Sequence, residues 1–343
     1  MKLRTFVFAT LTAFVSANHT TAQTIVDRNA ADTNAAASSV QAVLSSPIPV
    51  LRPASLVTAR ANAAPHLQPT DVLLTTRNAH ACNRRLSRAI PRRSGRAQDG
   101  NAFLAALDHA DGSTRDRTIT REILTGNVPR FMRTLVPVII SVPLQNGDLA
   151  DVTACVTPDY LALGSDTDFV RVPLGLGAAQ HVADRFDMIL PTTTMVDAIY
   201  SQADVRLAPQ PMTPGAQMTT TPYFVRHNAT IEQQRQSAGG QLGLLIAGHK
   251  KDLVTNRLAR APGRVAIYGW HRPGGNPIQP LSTVHGSEYA DYSHGIRLVS
   301  KTAFVNGRAI DLGNLLQNRQ LAWLPNGNGV GLSSDQLALL SQN

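Results

Sequence analysis

The sequence predicts an α+β fold, a mixed or antiparallel sheet carrying helices and long loops, and three observations lead there. Short runs rich in β-branched residues, such as LVPVIISVPL at 135–144 and VAIYGW at 265–270, have the composition of strands. Other segments repeat apolar residues at helical spacing, as do Met195, Val196, Ile199 and Tyr200. The chain also holds 24 glycines and 21 prolines, so turns organise much of its surface.

The order of elements begins with a leader. Lys2 and Arg4 precede the apolar run Phe6–Val15, and small residues follow, so residues 1–22 read as a secretory signal cut after Ala17 or Ala22. Asn18 and His19 stop that run well short of the roughly 20 apolar residues that a membrane anchor requires. The expectation is a secreted or periplasmic protein with no integral membrane segment once the signal is removed. Residues 23–98, rich in Ala, Ser, Pro and Asn over their first half, read as an extended or poorly structured arm. Its end, RRLSRAIPRRSGR at 84–96, is the densest positive charge in the chain, either a solvated loop or an anion-binding patch. Residues 99–343 read as one α+β domain, with Pro209, Pro211 and Pro214 marking 208–218 as its candidate internal boundary.

Within that domain, Phe103, Leu104 and Leu107 mark a first helix. Ser113 or Thr114 caps a second, which Gly126 ends. Strands follow at 135–144, 152–156, 160–163 and 169–172, then helices over 174–186 and from Pro191 onward. A short helix at 231–237 precedes an apolar strand, LGLLIAG, at 242–248. The 265–299 segment has strands at both ends and a turn-rich middle. Two small elements, 306–317 and 333–342, close the chain.

Cys82 and Cys155 are the only cysteines, and in an oxidising compartment the simplest arrangement is one disulfide. The competing arrangement leaves Cys155 free as a nucleophile, its thiolate favoured by a neighbouring imidazolium. A formal charge of +9 favours an anionic partner after export, such as cell-wall polymer or polysaccharide. No basic-aromatic pattern points to nucleic acid. Phosphate-binding loops, dinucleotide fingerprints, HExxH and GxSxG are all absent.

Chemistry concentrates between 265 and 299, where His271, His285 and His294 accompany Ser282, Glu288, Asp291 and Ser293. His285 and Asp291 share parity in an extended chain, whereas His294 needs a turn to join them. Those three side chains are also the inventory of a catalytic zinc site with one open position. His249, in GHKKD, stands at a strand end where Asp252 could orient its ring, while Lys250 and Lys251 disfavour its charged form. Asp159, Asp166 and Asp168 offer a carboxylate set for glycosidic chemistry, or simply turn-forming aspartates.

Ser282, His285 and Asp291 in STVHGSEYAD resemble the histidine-plus-aspartate loop of the zinc D-alanyl-D-alanine peptidases and related murein endopeptidases. Tyr292-Ser293-His294 stands where that family has a His-x-His pair, and the spacing differs. The resemblance covers about ten residues and implies zinc and peptide-bond hydrolysis. REILTGNVPRFMR and DYSHGIRLV look like fixed segments of a bacterial secreted family. The expected function is a secreted hydrolase acting on cell-envelope or extracellular polymer, amide bonds ahead of glycosidic ones. Its catalytic candidates are His249, His285, Asp291, His294 and Cys155. A non-catalytic wall- or polysaccharide-binding domain is the rival, with Trp270, Tyr289 and Tyr292 on an exposed sugar-binding face. A glycoside hydrolase with paired carboxylates is the third reading.

Overall fold

The computed structural model describes residues 82–143, 149–305 and 307–312. The leader, the arm up to residue 81 and the chain beyond residue 312 lie outside them. Residues 82–98, the end of the expected arm, form successive turns anchored to the domain. Ile90 is buried, Ser87 Oγ donates to the Arg133 carbonyl (2.8 Å), and Cys82 is disulfide-bonded to Cys155. The Arg133 guanidinium donates to the Pro91 carbonyl, pinning the segment a second time.

The first helix, α1, spans Gly100–Ala105, and the second, α2, Gly112–Leu124. The cap of α2 is Asp111 rather than Ser113 or Thr114: its carboxylate accepts from both the backbone N–H and the hydroxyl of Thr114. One carboxylate thereby satisfies donors that two hydroxyls would have competed for. Gly126 ends α2 as expected. At φ 97° its N–H donates to the Ile123 carbonyl while Asn127 reaches back to Glu122, a Schellman pair that needs a left-handed residue.

Strands β1 (Val136–Pro143) and β2 (Leu149–Val156) pair antiparallel along their whole length, as the β-branched runs require. The short hairpin β3 (Ala162–Gly164) and β4 (Phe169–Arg171) precedes α3 (Leu176–Arg185), β5 (Met188–Ile189) and α4 (Thr193–Gln202). Strand β6 (Val205–Arg206) then leads through a loop to α5, Thr221–Ser237.

The 208–218 loop is hydrogen-bonded to Tyr292 at two points. Met212 N–H donates to the Tyr292 hydroxyl (2.7 Å), and Tyr292 N–H donates to the Met218 carbonyl (3.0 Å). Helix α5 begins ten residues before the expected 231. Its buried face carries Tyr223, Phe224, His227, Asn228 and Ile231, and the polar pair interrupts the apolar stripe from which helices are recognised.

The apolar run before His249 forms only a two-residue strand, β7 (Ile246–Ala247), parallel to β6. Next come β8 (Lys251–Leu253), β9 (Ile267–His271), β10 (Pro277–Ser282) and β11 (His294–Gly295), then β12 (Val299–Val305) and β13 (Arg308–Asp311). The turn-rich middle of 265–299 therefore contains a strand of its own. Pro277 and Pro280 are tolerated there because β10 is an edge strand.

The strands assemble into a five-stranded sheet, ordered β1-β2-β12-β13 with β5 also on β12, and a four-stranded sheet, ordered β10-β9-β8-β11. One apolar cluster joins α1, α2 and α3 through Leu104, Ile119, Ile123, Val182 and Phe186. A second packs α4 on the larger sheet through Met195, Ile199, Val138, Ala154 and Ala303. The architecture is α+β, and among the described residues no helix is long and apolar enough to cross a membrane.

Candidate functional site

The four-stranded sheet carries an unusual load of buried charge. Its parallel pair β8 and β11 puts Lys251 opposite His294 and Asp252 opposite Gly295. Gly295 is required at this crossing, since a Cβ there would lie 2.6 Å from the Tyr160 ring. His249, Lys250, Asp252, Asp291, Ser293, His294 and Arg297 are all buried. Such groups persist in a core only when they are paired or neutral.

On one side of β8 lies an ion network. Arg171 holds Asp159 with two nitrogens (Nε 3.0 Å, Nη2 2.6 Å), and Arg171 also reaches Glu232 at 2.8 Å and Asn228 at 3.0 Å. His249 Nε2 meets Asp159 at 3.1 Å. Burial raises the Asp159 carboxyl, but Arg171 and His249 overcome it and hold the group far below the usual carboxylate range. Next to it, Tyr160 donates to Asp252 at 2.8 Å while the Arg297 guanidinium sits over the Tyr160 ring. Burial pushes Asp252 up to about 6 and Lys250 down to about 7. Lys250 Nζ donates to the Tyr292 carbonyl (2.5 Å) and lies 3.2 Å from His227 Nδ1.

The other side centres on Asp291. The turn that parity demands is present, with His294 N–H donating to the Asp291 carbonyl. Asp291 Oδ1 accepts from the backbone and hydroxyl of Ser293 (2.7 and 2.5 Å), and Oδ2 accepts from Tyr289 Oη at 3.1 Å. His285, half-buried, stacks on the Tyr289 ring at 4.2 Å, and its centroid is 6.2 Å from that of His294. Burial raises the Asp291 carboxyl, yet attraction to His294 when that ring is charged, the Ser293 hydrogen bonds and the Lys251 charge outweigh it and lower the group below its ordinary value. Burial holds the His294 ring neutral, and neither of its nitrogens has a hydrogen-bond partner among the described residues. An imidazole buried without partners forgoes hydrogen bonds it would make in water, which marks it as a residue kept for more than packing. Tyr289, together with Glu288 and Ala290, forms one wall of a 360 Å³ cleft that Arg115 and Thr219 help to close.

A third histidine is placed separately. In β9, Gly269 and Trp270 both have positive φ (106° and 56°). A left-handed backbone at a tryptophan costs about 1–3 kcal/mol. Beyond this kink His271 stacks on Tyr200 and its Nε2 lies 2.9 Å from Asp197, which also accepts from Tyr268. His271 and Asp197 border a 320 Å³ cleft that also contains Ser201 and Arg206.

His285, Asp291 and His294 thus come together, while His249 and His271 each have a different carboxylate. Cys155 is corrected as a nucleophile, because its sulfur is bonded to Cys82 and no free cysteine occurs among the described residues. The zinc set is not drawn into ligand geometry either. Among the described residues no three His, Cys, Asp or Glu side chains are grouped to hold a metal ion, and His294 Nε2 lies 3.9 Å from Asp291. Two of that carboxylate's donors, Ser293 and Tyr289, already use both its oxygens.

The three aspartates of the glycosidic reading serve separate structural ends. Asp159 is locked to Arg171, Asp166 accepts from the Arg130 N–H, and Asp168 accepts from Asn101. Of the expected sugar platform, Trp270 and Tyr292 are buried against Tyr223 and Phe224, whereas Tyr289 is partly exposed in the cleft wall. His227 is the residue that escaped the sequence reading. Its signal was its place in the Tyr223, Phe224, His227, Ile231 stripe of α5.

These buried histidines predict acid lability. Burial lowers His249 to about 4, and it lowers His227 and His294 in the same sense. The unfolded chain, with histidines near 6.5, then binds more protons than the folded one. Stability is full above pH 6.5 and is lost as pH falls toward 4, by about 3 kcal/mol for His249 alone. Asp252, raised by burial to about 6, works oppositely between 3.8 and 6, and burial raises Asp116 in the same sense, but these two carboxyls oppose three imidazoles. Urea denaturation midpoints should therefore drop between pH 7 and 4.5; a flat profile would mean that these rings are solvated.

The chain matches no protein-family model, and no curated protein and no solved structure shows significant similarity to it.

Proposed function

We propose that the protein is an exported hydrolase of a cell-envelope or extracellular polymer, acting on amide bonds at the cleft beside Tyr289. The observation that carries this reading is Tyr289 itself. Its ring forms part of the cleft wall and stacks on His285, while its hydroxyl donates to a buried, ionised Asp291. A carboxylate that holds a cleft-wall phenol, with a partly exposed imidazole stacked on that phenol's ring, has the parts of a proton-transfer device. In the proposed step, water attacks the acyl carbon as His285 takes its proton. The ring then returns that proton to the departing amine nitrogen, so the amide C–N bond breaks without a net change in the enzyme. Tyr289 and Asp291 are positioning residues. His294 lies behind them as a buried, neutral ring in edge contact with Tyr289. Export is consistent with the leader-like N-terminus and with the disulfide. The likeness of STVHGSEYAD to the D-alanyl-D-alanine peptidases supports the bond type, although the side chains do not support their zinc.

The test is release of new amines from purified wall polymer. His285→Ala should lower the rate about 100-fold or more with little change in melting temperature, because the ring is half-exposed. Rescue of the rate by added imidazole would separate proton transfer from packing. Activity should survive exhaustive chelation. Loss of activity on His271→Ala but not on His285→Ala would move the site to the Asp197 cleft. Reducing ends without amines would transfer the reading to glycosidic chemistry.

A further inference from the structure

Another cleft among the described residues contains none of these groups. Its 720 Å³ are bordered by seven arginines, Arg84, Arg85, Arg88, Arg92, Arg93, Arg130 and Arg133, and by no acidic residue. Only two of them have carboxylate partners among the described residues, Arg93 with Asp99 (3.1 Å) and Arg130 with Asp166 (3.3 Å). Arg133 is consumed by backbone carbonyls, to which its terminal nitrogens donate. Arg84, Arg85, Arg88 and Arg92, all exposed, have no carboxylate partner among the described residues and border the same cleft.

A solvated basic loop would hold its charges apart. Here the segment is fastened instead, by the Cys82–Cys155 bond, by buried Ile90 and by Ser87 on the Arg133 carbonyl. Fixing like charges around one concavity is unfavourable unless an anion occupies it. The neighbouring Arg92 charge already works with burial to lower the Arg133 guanidinium below its ordinary value.

We propose that this arginine cleft binds an acidic polysaccharide, gripping a single chain through its acid groups. The cleft's volume fits a segment of a few sugar units. Guanidinium forks match carboxylate and sulfate oxygens two at a time. Among the described residues no aromatic side chain borders the cleft, so they offer no stacking platform of the kind single-stranded nucleic acid uses. The proposal rests on the anionic-polymer partner of the proposed function but not on hydrolysis, and a binding measurement tests it apart from product release.

The experiment is fluorescence anisotropy at low salt, with the full oxidised protein and labelled polygalacturonate oligosaccharides. Dextran sulfate, neutral dextran and oligodeoxythymidylate serve as comparison arms. Arg84→Gln/Arg85→Gln/Arg88→Gln, three exposed positions, should weaken polygalacturonate binding about tenfold or more. A control with the same net charge, Arg185→Gln/Arg226→Gln/Arg260→Gln, also on exposed positions, should change it less than about twofold. Binding to dextran sulfate but not to polygalacturonate would keep the site and assign it to sulfated chains. Equal losses in both triple variants would reduce the effect to diffuse attraction and overturn the proposal. Tighter binding of the oligonucleotide, or no binding of either acidic glycan, would overturn it too. Loss of binding with unchanged amine release would leave the hydrolase reading standing, and the converse would leave this one.

Discussion

Asp159→Ala is expected to destabilise the protein by roughly 3–5 kcal/mol, a loss on the scale of a whole domain's stability. The substitution leaves Arg171, 1% exposed, with Glu232 as its remaining carboxylate, and deprives His249 of its Asp159 partner. Its cost comes mainly from the cation left behind rather than from the net worth of the pair, whose formation is offset by desolvation of both ions. That distinction is measurable. Asp159→Leu combined with Arg171→Met should recover much of the loss, because it removes both charges and fills similar volume. Denaturant midpoints of the single and double variants decide the matter. A single-variant loss below about 1 kcal/mol would mean that water reaches the network and that its burial is misjudged.

Reduction of the Cys82–Cys155 bond is expected to cost about 4 kcal/mol, from the entropy of a loop closed over 73 residues. Cys155 lies fully buried on β2, so the bond ties a turn-rich segment to the centre of the larger sheet. Unreduced, denatured protein should show no reactive thiol, and denaturation curves with and without reductant should separate by that amount. Two titrating thiols would reject the bond and return Cys155 to the list of nucleophiles. Because the segment also carries the arginines, reduction should weaken anion binding beyond its effect on melting.

Much of this was legible in the sequence where one force dominates. The β-branched run 136–143, the Gly126 stop and the apolar stripe of α4 each follow from local preference, and the sequence reading matches them. Legibility failed where polar residues occupy buried faces. Helix α5 was truncated because His227 and Asn228 face inward, serving Lys250 and Arg171 instead of the apolar core. The grouping of His285, Asp291 and His294 was foreseeable from spacing and one turn. The locking of Asp159 by Arg171 was not, since it depends on the β3–β4 hairpin bringing residues 159 and 171 together against α5. Tyr289 gained its role from a stacking geometry that no spacing rule encodes.

The register of the larger sheet carries one more consequence. Strand β2 pairs with β1 almost at once, but its other edge is covered only by β12, with Val156 meeting Val299. Until β12 at Val299–Val305 arrives, β2 presents an open row of donors and acceptors, a template for the wrong partner. Closing the sheet demands a contact between residues far apart along the chain, so folding is expected to be slow and late. A chain whose sheet closes this late is most vulnerable to aggregation in the interval between forming the β1–β2 hairpin and docking β12.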